Sequence, residues 1–319
     1  MEKNSFLSEQ LTIVVNSCDG YEDLWVPFFA LLKKYWNPTG IRILLNTESK
    51  TFQMDGLEIE CAHSPKEYSY GARMMNALSK VRTKYVLPML DDFFLRSPVN
   101  VEKISQIIEW MEEDADIAYF NCDCNEAYAD WEVNQYPGYR RLPPGNDYIF
   151  SMQAAIWRTE ILQQYWKADV SPWEWELICN VLSYAHKNKK YYCLLNGKDS
   201  FLDYGHYECG DIWGVFRGKW VKEDVVPLFE KEEIVVDYSR RGFYDPQEIK
   251  NVISEPSGRW DQYGIVSRCL GKKYVVALFF YEVYCGLLRR MNKSAKWYDF
   301  YDFLRRTARE RFYKHQRFQ

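Results

Sequence analysis

No stretch of this 319-residue chain reaches the roughly 18 consecutive apolar residues that a membrane-spanning helix needs. Its opening, MEKNSFLSEQLTIVVNS, has polar residues where a signal peptide requires a continuous apolar core, and no small-residue cleavage site follows. Export by the usual route is therefore not expected. Closely spaced cysteines are also scarce: there are nine, an odd number, and only Cys122 and Cys124 lie near each other. Neither a disulfide framework nor a zinc site built on Cys-x2-4-Cys spacing is expected, and a reducing compartment fits better. Cys122-Asp123-Cys124 admits a soft metal, but two cysteines at a strand end explain it more simply. No repeat of fixed period and no low-complexity tract is present.

The chain also lacks an overall basic excess. It carries 41 Lys and Arg against 45 Asp and Glu, a formal net charge of −4. The charge is unevenly spread. Residues 267–319 hold 13 basic and 4 acidic side chains, and the rest of the chain holds 28 and 41. An acidic body with a basic tail argues against a nucleic-acid binder, which spreads basic groups over its main surface.

What is abundant is apolar and aromatic. Hydrophobic residues make up 47% of the chain and charged residues 27%, so it is expected to be globular rather than disordered. The chain has 12 Trp, 25 Tyr and 18 Phe. These side chains offer a flat apolar face and, in Tyr and Trp, a polar edge, which suits sugar rings, nucleobases and membrane interfaces alike.

Periodicity predicts an α/β order. Leu11–Asn16 is a short β-branched run and reads as a buried strand. Residues 22–36 carry apolar side chains at helical spacing, with Glu22 and Asp23 in the favourable first turn. Asn37-Pro38-Thr39-Gly40 breaks that helix, and Ile41–Asn46 is a second strand. Strands over 57–61, 84–90 and 117–121 and helices over 70–81 and 99–113 continue the alternation. Short buried strands joined by helices imply a mostly parallel sheet flanked by helices. Residues 122–147 read as a long loop, 148–158 as a strand, 159–167 and 172–187 as helices, and 191–195 as a strand.

The tail differs in character. Tyr274–Leu288 is apolar, but it is too short to span a bilayer and is interrupted by Glu282. Beyond it, aromatic and basic residues interleave, which suits either an anionic bilayer surface or a helical pair packed on the body with a solvated basic face. A boundary near residue 225 is expected, with a catalytic domain over 1–225 and a helical, basic and aromatic extension over 226–319.

The strongest local signal is VLPMLDDFFL. An apolar strand there delivers Asp91 and Asp92 to its C-terminal end, the edge at which open α/β sheets bind ligands. Adjacent carboxylates repel unless a proton or cation intervenes, and Mg²⁺ is commonly held by one or two carboxylates plus substrate phosphates. A surface acidic pair capping the next element is the plainer alternative. The second signal is Ser171-Pro172-Trp173-Glu174-Trp175-Glu176, two carboxylates flanked by tryptophans at a helix start. Helix-start acids beside core tryptophans would look the same.

This arrangement over about residues 10–220 resembles the GT-A-type nucleotide-sugar glycosyltransferases of the bacterial surface-polysaccharide, family-2-like kind. Their signature is an acidic triplet at a strand end. Here the triplet reads Leu90-Asp91-Asp92, so its first position is not acidic. The resemblance implies a Rossmann-like GT-A fold, with Mn²⁺ or Mg²⁺ on Asp92 and Asp91 on ribose or metal. It also implies that Asn16, Ser17 and Asp19, with Asn46 and Glu48, line the nucleotide pocket, and that Arg73 pairs a phosphate. Ser17 or Asp19 as a helix cap, and Arg73 as a solvated or Asp-paired side chain, are the structural readings of the same residues.

By the same resemblance, Glu174 is the base that deprotonates the acceptor, with Glu176 as second choice, and Trp173 and Trp175 stack on the acceptor sugar. Gln153 faces donor or acceptor sugar, His206 is a metal or phosphate contact, and Arg217 and Lys219 close over the diphosphate from a flexible loop. The implied activity is inverting transfer from a nucleotide-diphosphate sugar to a glycan or lipid-linked acceptor in capsular, exopolysaccharide or lipopolysaccharide synthesis. The implied location is the cytoplasm or the inner face of the cell membrane, with residues 270–319 meeting the anionic surface and no nucleic-acid partner. Two rivals stand beside it. A nucleotidyltransferase would want a basic Gly-rich loop near the N-terminus, and Asn16–Gly20 has no Lys or Arg. A non-catalytic carbohydrate- or membrane-binding protein rests on aromatic content alone.

Overall fold

The structure is a computed structural model that describes residues 2–124, 136–142, 150–185, 188–195, 200–204, 214–245, 262–272 and 275. Helix α1 (Glu2–Gln10) leads into strand β1 (Leu11–Asn16), and α2 (Glu22–Tyr35) returns to β2 (Arg42–Asn46) and β3 (Glu58–Cys61). Then come α3 (Tyr70–Ser79), β4 (Tyr85–Leu90), α4 (Val101–Glu113), β5 (Ile117–Cys124), β6 (Tyr139–Leu142) and β7 (Ala155–Arg158). Helices α5 (Thr159–Tyr165) and α6 (Pro172–Ala185) precede β8 (Lys190–Leu194), the two-stranded β9 (Val215–Phe216) and β10 (Lys219–Trp220), and helices α7 (Lys222–Lys231) and α8 (Gln262–Leu270).

Eight strands form one sheet in the order β3-β2-β1-β4-β7-β5-β8-β6. Strands β1 to β4, β5 and β8 run parallel to one another, while β7 and β6 run antiparallel to their neighbours. The fold is thus a mixed, mostly parallel α/β sheet of Rossmann-like form, as the periodicity predicts. Register aligns Asn16 with both Asn46 and Leu90, so three strands end at one level.

Alternation along the buried strands splits the core in two. Ile13, Val15, Ile43 and Leu45 face α1, α2 and α4, where Leu7, Phe28 and Ile104 complete a first cluster. Val14 and Leu44 point the other way, toward Met74 of α3, Ile161 of α5 and Ile178 of α6. Each large side chain so buried contributes roughly 1.5–3 kcal/mol. Ser69 caps α3 by accepting from the Ala72 N–H at 3.2 Å, and Asn100 caps α4 through the Lys103 N–H at 2.9 Å.

The structure corrects the reading after residue 121. Strand β5 continues to Cys124, and the segment expected as loop supplies edge strand β6. The expected strand over 148–158 shortens to β7, because residues 150–154 turn instead to meet α6. A domain boundary at residue 225 falls inside α7, whose Val225, Leu228 and Phe229 are buried in the first cluster. Residues 226–245 therefore belong to the body. Residues 276–319, most of the basic aromatic tail, lie outside the described residues. Among the described residues no helix is long and apolar enough to cross a membrane.

Candidate functional site

The C-terminal ends of β1, β2 and β4 place Asn16-Ser17, Asn46-Thr47-Glu48 and Asp91-Asp92 side by side. Asp91 is 4% exposed and accepts a hydrogen bond from Ser17 Oγ, which itself accepts from Trp25 Nε1 at 2.7 Å. Burial and the neighbouring Asp92 carboxylate push Asp91 well above the ordinary carboxylate range, against the Ser17 hydrogen bond. Asp92 is half-buried. Burial raises it to about 7, against its own backbone N–H and the guanidinium of Arg241. Its backbone carbonyl accepts from the Gly214 N–H at 2.9 Å, which seats the β9–β10 segment beside it.

Asp19 is engaged elsewhere. Its carboxylate accepts from the backbone N–H groups of Glu48, Ser49 and Lys50 at 3.0–3.1 Å and from Ser49 Oγ at 2.6 Å. These partners outweigh the effect of burial and hold it down at about 2. Asp19 thus ties the β1 loop to the β2 loop. Glu48 accepts from the Asp19 N–H at 2.5 Å and forms an ion pair with Arg73. Arg73 is therefore ion-paired through Nη1, with Glu48 rather than an Asp as its partner.

Tyr70, the first residue of α3, fills the middle of the cleft. Its hydroxyl oxygen accepts from Asn16 Nδ2, and its ring meets Trp166 at 5.8 Å. Burial raises its phenol, and the carboxylates of Asp92, Asp91 and Glu176 raise it further. Tyr70 is thus within electrostatic reach of both acidic groups of the cleft.

On the far side, the head of α6 carries the second pair of acids. Glu174 closes a capping box: its Oε2 accepts from the Ser171 N–H at 2.8 Å while Ser171 Oγ accepts from the Glu174 N–H at 3.3 Å. Its Oε1 takes the guanidinium of Arg268 from α8. Burial pushes Glu174 up, but Ser171 and Arg268 outweigh it and hold it below its ordinary value. Such an acid is poorly placed to take a proton, so the base role expected of Glu174 does not suit its surroundings. Glu176 accepts from the Met152 N–H at 2.8 Å, and burial raises it above its ordinary value.

The two tryptophans separate in the same way. Trp173 is 64% exposed. Trp175 is 2% exposed and stacks on Trp166 at 4.7 Å and 12°, so it is a core residue with no face free for a sugar. Gln153 is half-buried in the bend before β7, next to Met152, rather than on a strand. Arg217 and Lys219 lie on a β-hairpin rather than in a flexible loop. Arg217 (φ 50°) and Gly218 (φ 82°) form a two-residue turn with both φ positive, the geometry that matches strand twist. His206 lies outside the described residues.

Sequence reasoning missed Arg241. It grips Asp23 through two hydrogen bonds of 2.6 and 2.7 Å, donates to the carbonyl of Gly20 at 2.7 Å, and lies 4.2 Å from the Tyr21 ring centre. No local signal marks it, because its partners Asp23 and Gly20 are more than 200 residues away in the chain. Among the described residues no cluster of three His, Cys, Asp or Glu side chains is arranged to hold a metal. Two carboxylates do meet the need of a divalent cation that takes its other ligands from phosphate and water. The fit rests on Asp92, half-buried at a strand end next to Asp91 and raised by burial to about 7.

No protein-family model matches the chain, and no curated protein matches it in sequence. Among solved structures it is similar to S. aureus TarS 1-349, with a TM-score of 0.41 and 13% identity over 97% of this chain and 93% of that one. TarS 1-349 in complex with UDP-GlcNAc gives 0.40 and 10% over 85% and 71%. A CMP:2-keto-3-deoxy-manno-octonic acid synthetase complexed with CTP gives 0.35 and 12% over 58% and 89%. Against a longer TarS structure the match takes in 36% of that chain, so this chain spans about a third of it.

Proposed function

We propose that the chain is a GT-A-like glycosyltransferase that takes a sugar from a nucleotide diphosphate and delivers it to a hydroxyl of a glycan or lipid-linked acceptor. The observation that carries this is the convergence of two acid sites on Tyr70: Asp91-Asp92 after β4 and Glu176 on α6 both lie close enough to raise its phenol.

In this reading the nucleotide lies over Asn16, Ser17 and Asn46, with the diphosphate toward Asp92 and Arg73. Asp92 and Asp91 would hold a divalent cation, which would supply neutralisation of the charge that gathers on the departing diphosphate. Glu176 takes the proton of the acceptor hydroxyl, since burial has given it a proton affinity closer to the working pH than that of Glu174. The acceptor oxygen forms its bond to the anomeric carbon as the bond to the diphosphate oxygen breaks. The electron pair leaves with the nucleotide and the configuration inverts. Exposed Trp173 stands where an acceptor sugar would stack. Synthesis of a bacterial surface polysaccharide at the inner face of the membrane, with the basic tail of residues 270–319 on the lipid, completes the proposal.

The test is a melting series with nucleoside diphosphates and their sugars, each with and without Mn²⁺. Ligands that bind the native state raise Tm by mass action. Stabilisation by one nucleotide, lost in Asp92→Ala, is expected. Stabilisation by nucleoside triphosphates alone, with release of pyrophosphate, would move the chain to the nucleotidyltransferases. Stabilisation by no nucleotide would leave a binding module as the better account.

A further inference from the structure

A one-way hydrogen-bond relay runs from β2 to the middle of the cleft. Asn46 is 1% exposed, and its Nδ2 lies 3.6 Å from Met74 Sδ and 3.2 Å from Asn16 Oδ1. A thioether sulfur accepts and never donates, so Met74 fixes which end of the Asn46 amide is NH₂. Asn16 Oδ1 must then accept, and Asn16 Nδ2 is left to donate to the Tyr70 oxygen. That oxygen spends a lone pair on Asn16. Its own O–H proton therefore points away from the relay. Burial keeps the phenol neutral, so the proton stays on it.

The charged groups that act on Tyr70 are the carboxylates of Asp92, Asp91 and Glu176 and the guanidinium of Arg73. Arg73, one turn along the same helix, uses Nη1 on Glu48, and no other nitrogen of it is hydrogen-bonded among the described residues. Two of the early N–H groups of α3 are already taken: Gly71 N–H by the Val170 carbonyl at 3.1 Å, Ala72 N–H by Ser69 Oγ at 3.2 Å. The side-chain donors offered at the head of α3 include a phenol and a guanidinium, a combination that complements an anion with several acceptor oxygens. Bonds aligned in one direction polarise one another and strengthen the terminal donor.

We propose that Tyr70 is a donor-binding residue whose O–H, aimed by the Asn46–Asn16 relay, donates to a phosphate oxygen of the nucleoside diphosphate. The assignment rests on the glycosyltransferase reading of the same cleft. It adds to that reading a contact that discriminates diphosphate from nucleoside and that needs no metal.

The test uses the full chain and Tyr70→Phe, which keeps the ring against Trp166 and removes only the hydroxyl. Calorimetry measures the affinity of the stabilising nucleoside diphosphate and of its bare nucleoside, at pH 6, 7 and 8. Losing a hydrogen bond to a charged group predicts about tenfold or more weaker diphosphate binding. Nucleoside affinity should change less than about twofold, and the loss should be the same at all three pH values. Equal loss for both ligands would mean that the ring, not the hydroxyl, matters, and would overturn the assignment. Unchanged diphosphate affinity, or a loss confined to one end of the pH range, would also overturn it, the latter by making Asp92 the partner of the hydroxyl. A wild-type chain that binds neither ligand would instead bring down the functional reading, and this inference with it.

Discussion

The two sides of the cleft deploy their acids differently. On the β1–β4 side, Asp91 and Asp92 are neighbours in sequence, Asp91 buried and Asp92 half-buried, and the Asp92 carboxylate adds to the cost of ionising Asp91. On the α6 side, Glu174 and Glu176 are separated by one residue, and their environments push them apart. Glu174 is committed to a capping box and to Arg268, and Glu176 is half-buried with a single backbone donor. Each side also spends one acid on architecture, Asp19 on the first and Glu174 on the second. What separates an architectural acid from a working one here is the number of donors that already satisfy it, not its place in a motif.

The sharpest way to break the contrast is to exchange the roles on α6. Glu176→Gln is expected to lower kcat by about 10²–10⁴-fold with donor affinity unchanged, the range for loss of a general base. Steady-state kinetics beside donor titration checks it, and near-normal turnover would return the base role to Glu174. On the opposite side, Asp92→Asn is expected to cost roughly 10²–10³-fold in kcat, as for removal of one group that stabilises developing charge. The same variant is expected to raise the stability of the unliganded chain.

That second effect has a pH signature. Asp92 sits at about 7 when folded against an ordinary 3.8, so between those values the folded chain holds a proton that the unfolded chain has released. Stability therefore falls as pH rises from about 4 to about 7. Asp19 and Glu232, both held at about 2, act in the opposite sense. Their contribution is complete above about pH 4 and drains away toward pH 2. Melting curves from pH 4 to 8 should decline for the wild type and decline less for Asp92→Asn, in which Asp91 and Glu176 remain raised by burial, and a wild-type curve that rises across this window would contradict the assignment.

Smaller effects sharpen the comparison. Trp175→Ala should cost about 3–5 kcal/mol by opening a cavity against Trp166, whereas Trp173→Ala should leave Tm nearly unchanged and raise the KM for acceptor. Denaturant melts and acceptor kinetics separate the two. Smallest of all, Glu174→Gln should lose about 1 kcal/mol of stability as the cap weakens, with turnover close to wild type. Comparing its kcat with that of Glu176→Gln reads out which of the two acids touches the acceptor.

How much of this was visible in the sequence differs between the same two regions. The first four strands are short, β1, β2 and β4 are mostly apolar runs, and Ser69 caps the helix between β3 and β4, so local pattern locates them within a residue or two. Asp91-Asp92 follows directly from the end of β4. Beyond residue 121 local pattern fails, because the deciding partners are distant. Residues 150–154 look like strand by composition, but Met152 is claimed by Glu176. Trp173 and Trp175 are alike in the sequence, and only the helix phase of α6 turns one outward and the other into the core. Glu174 outranked Glu176 by alignment with a family pattern, yet Ser171, three residues before it, is a capping-box signal that could have reversed the order. Arg241 had no such signal.

Gly71 bears on the mechanics of the cleft. A methyl group at this position would sit 2.1 Å from the Lys167 carbonyl oxygen and 2.7 Å from that of Ala168. Ser69 Oγ also donates to the Ala168 carbonyl, so α3 and the approach to α6 meet main chain to main chain. The gap between the donor side and the acceptor side is thus gauged by peptide geometry, like the jaw of a fixed spanner. Side-chain redesign along α3 can change what the jaw grips but not its width. Any opening for substrate entry must come from elements other than this seam.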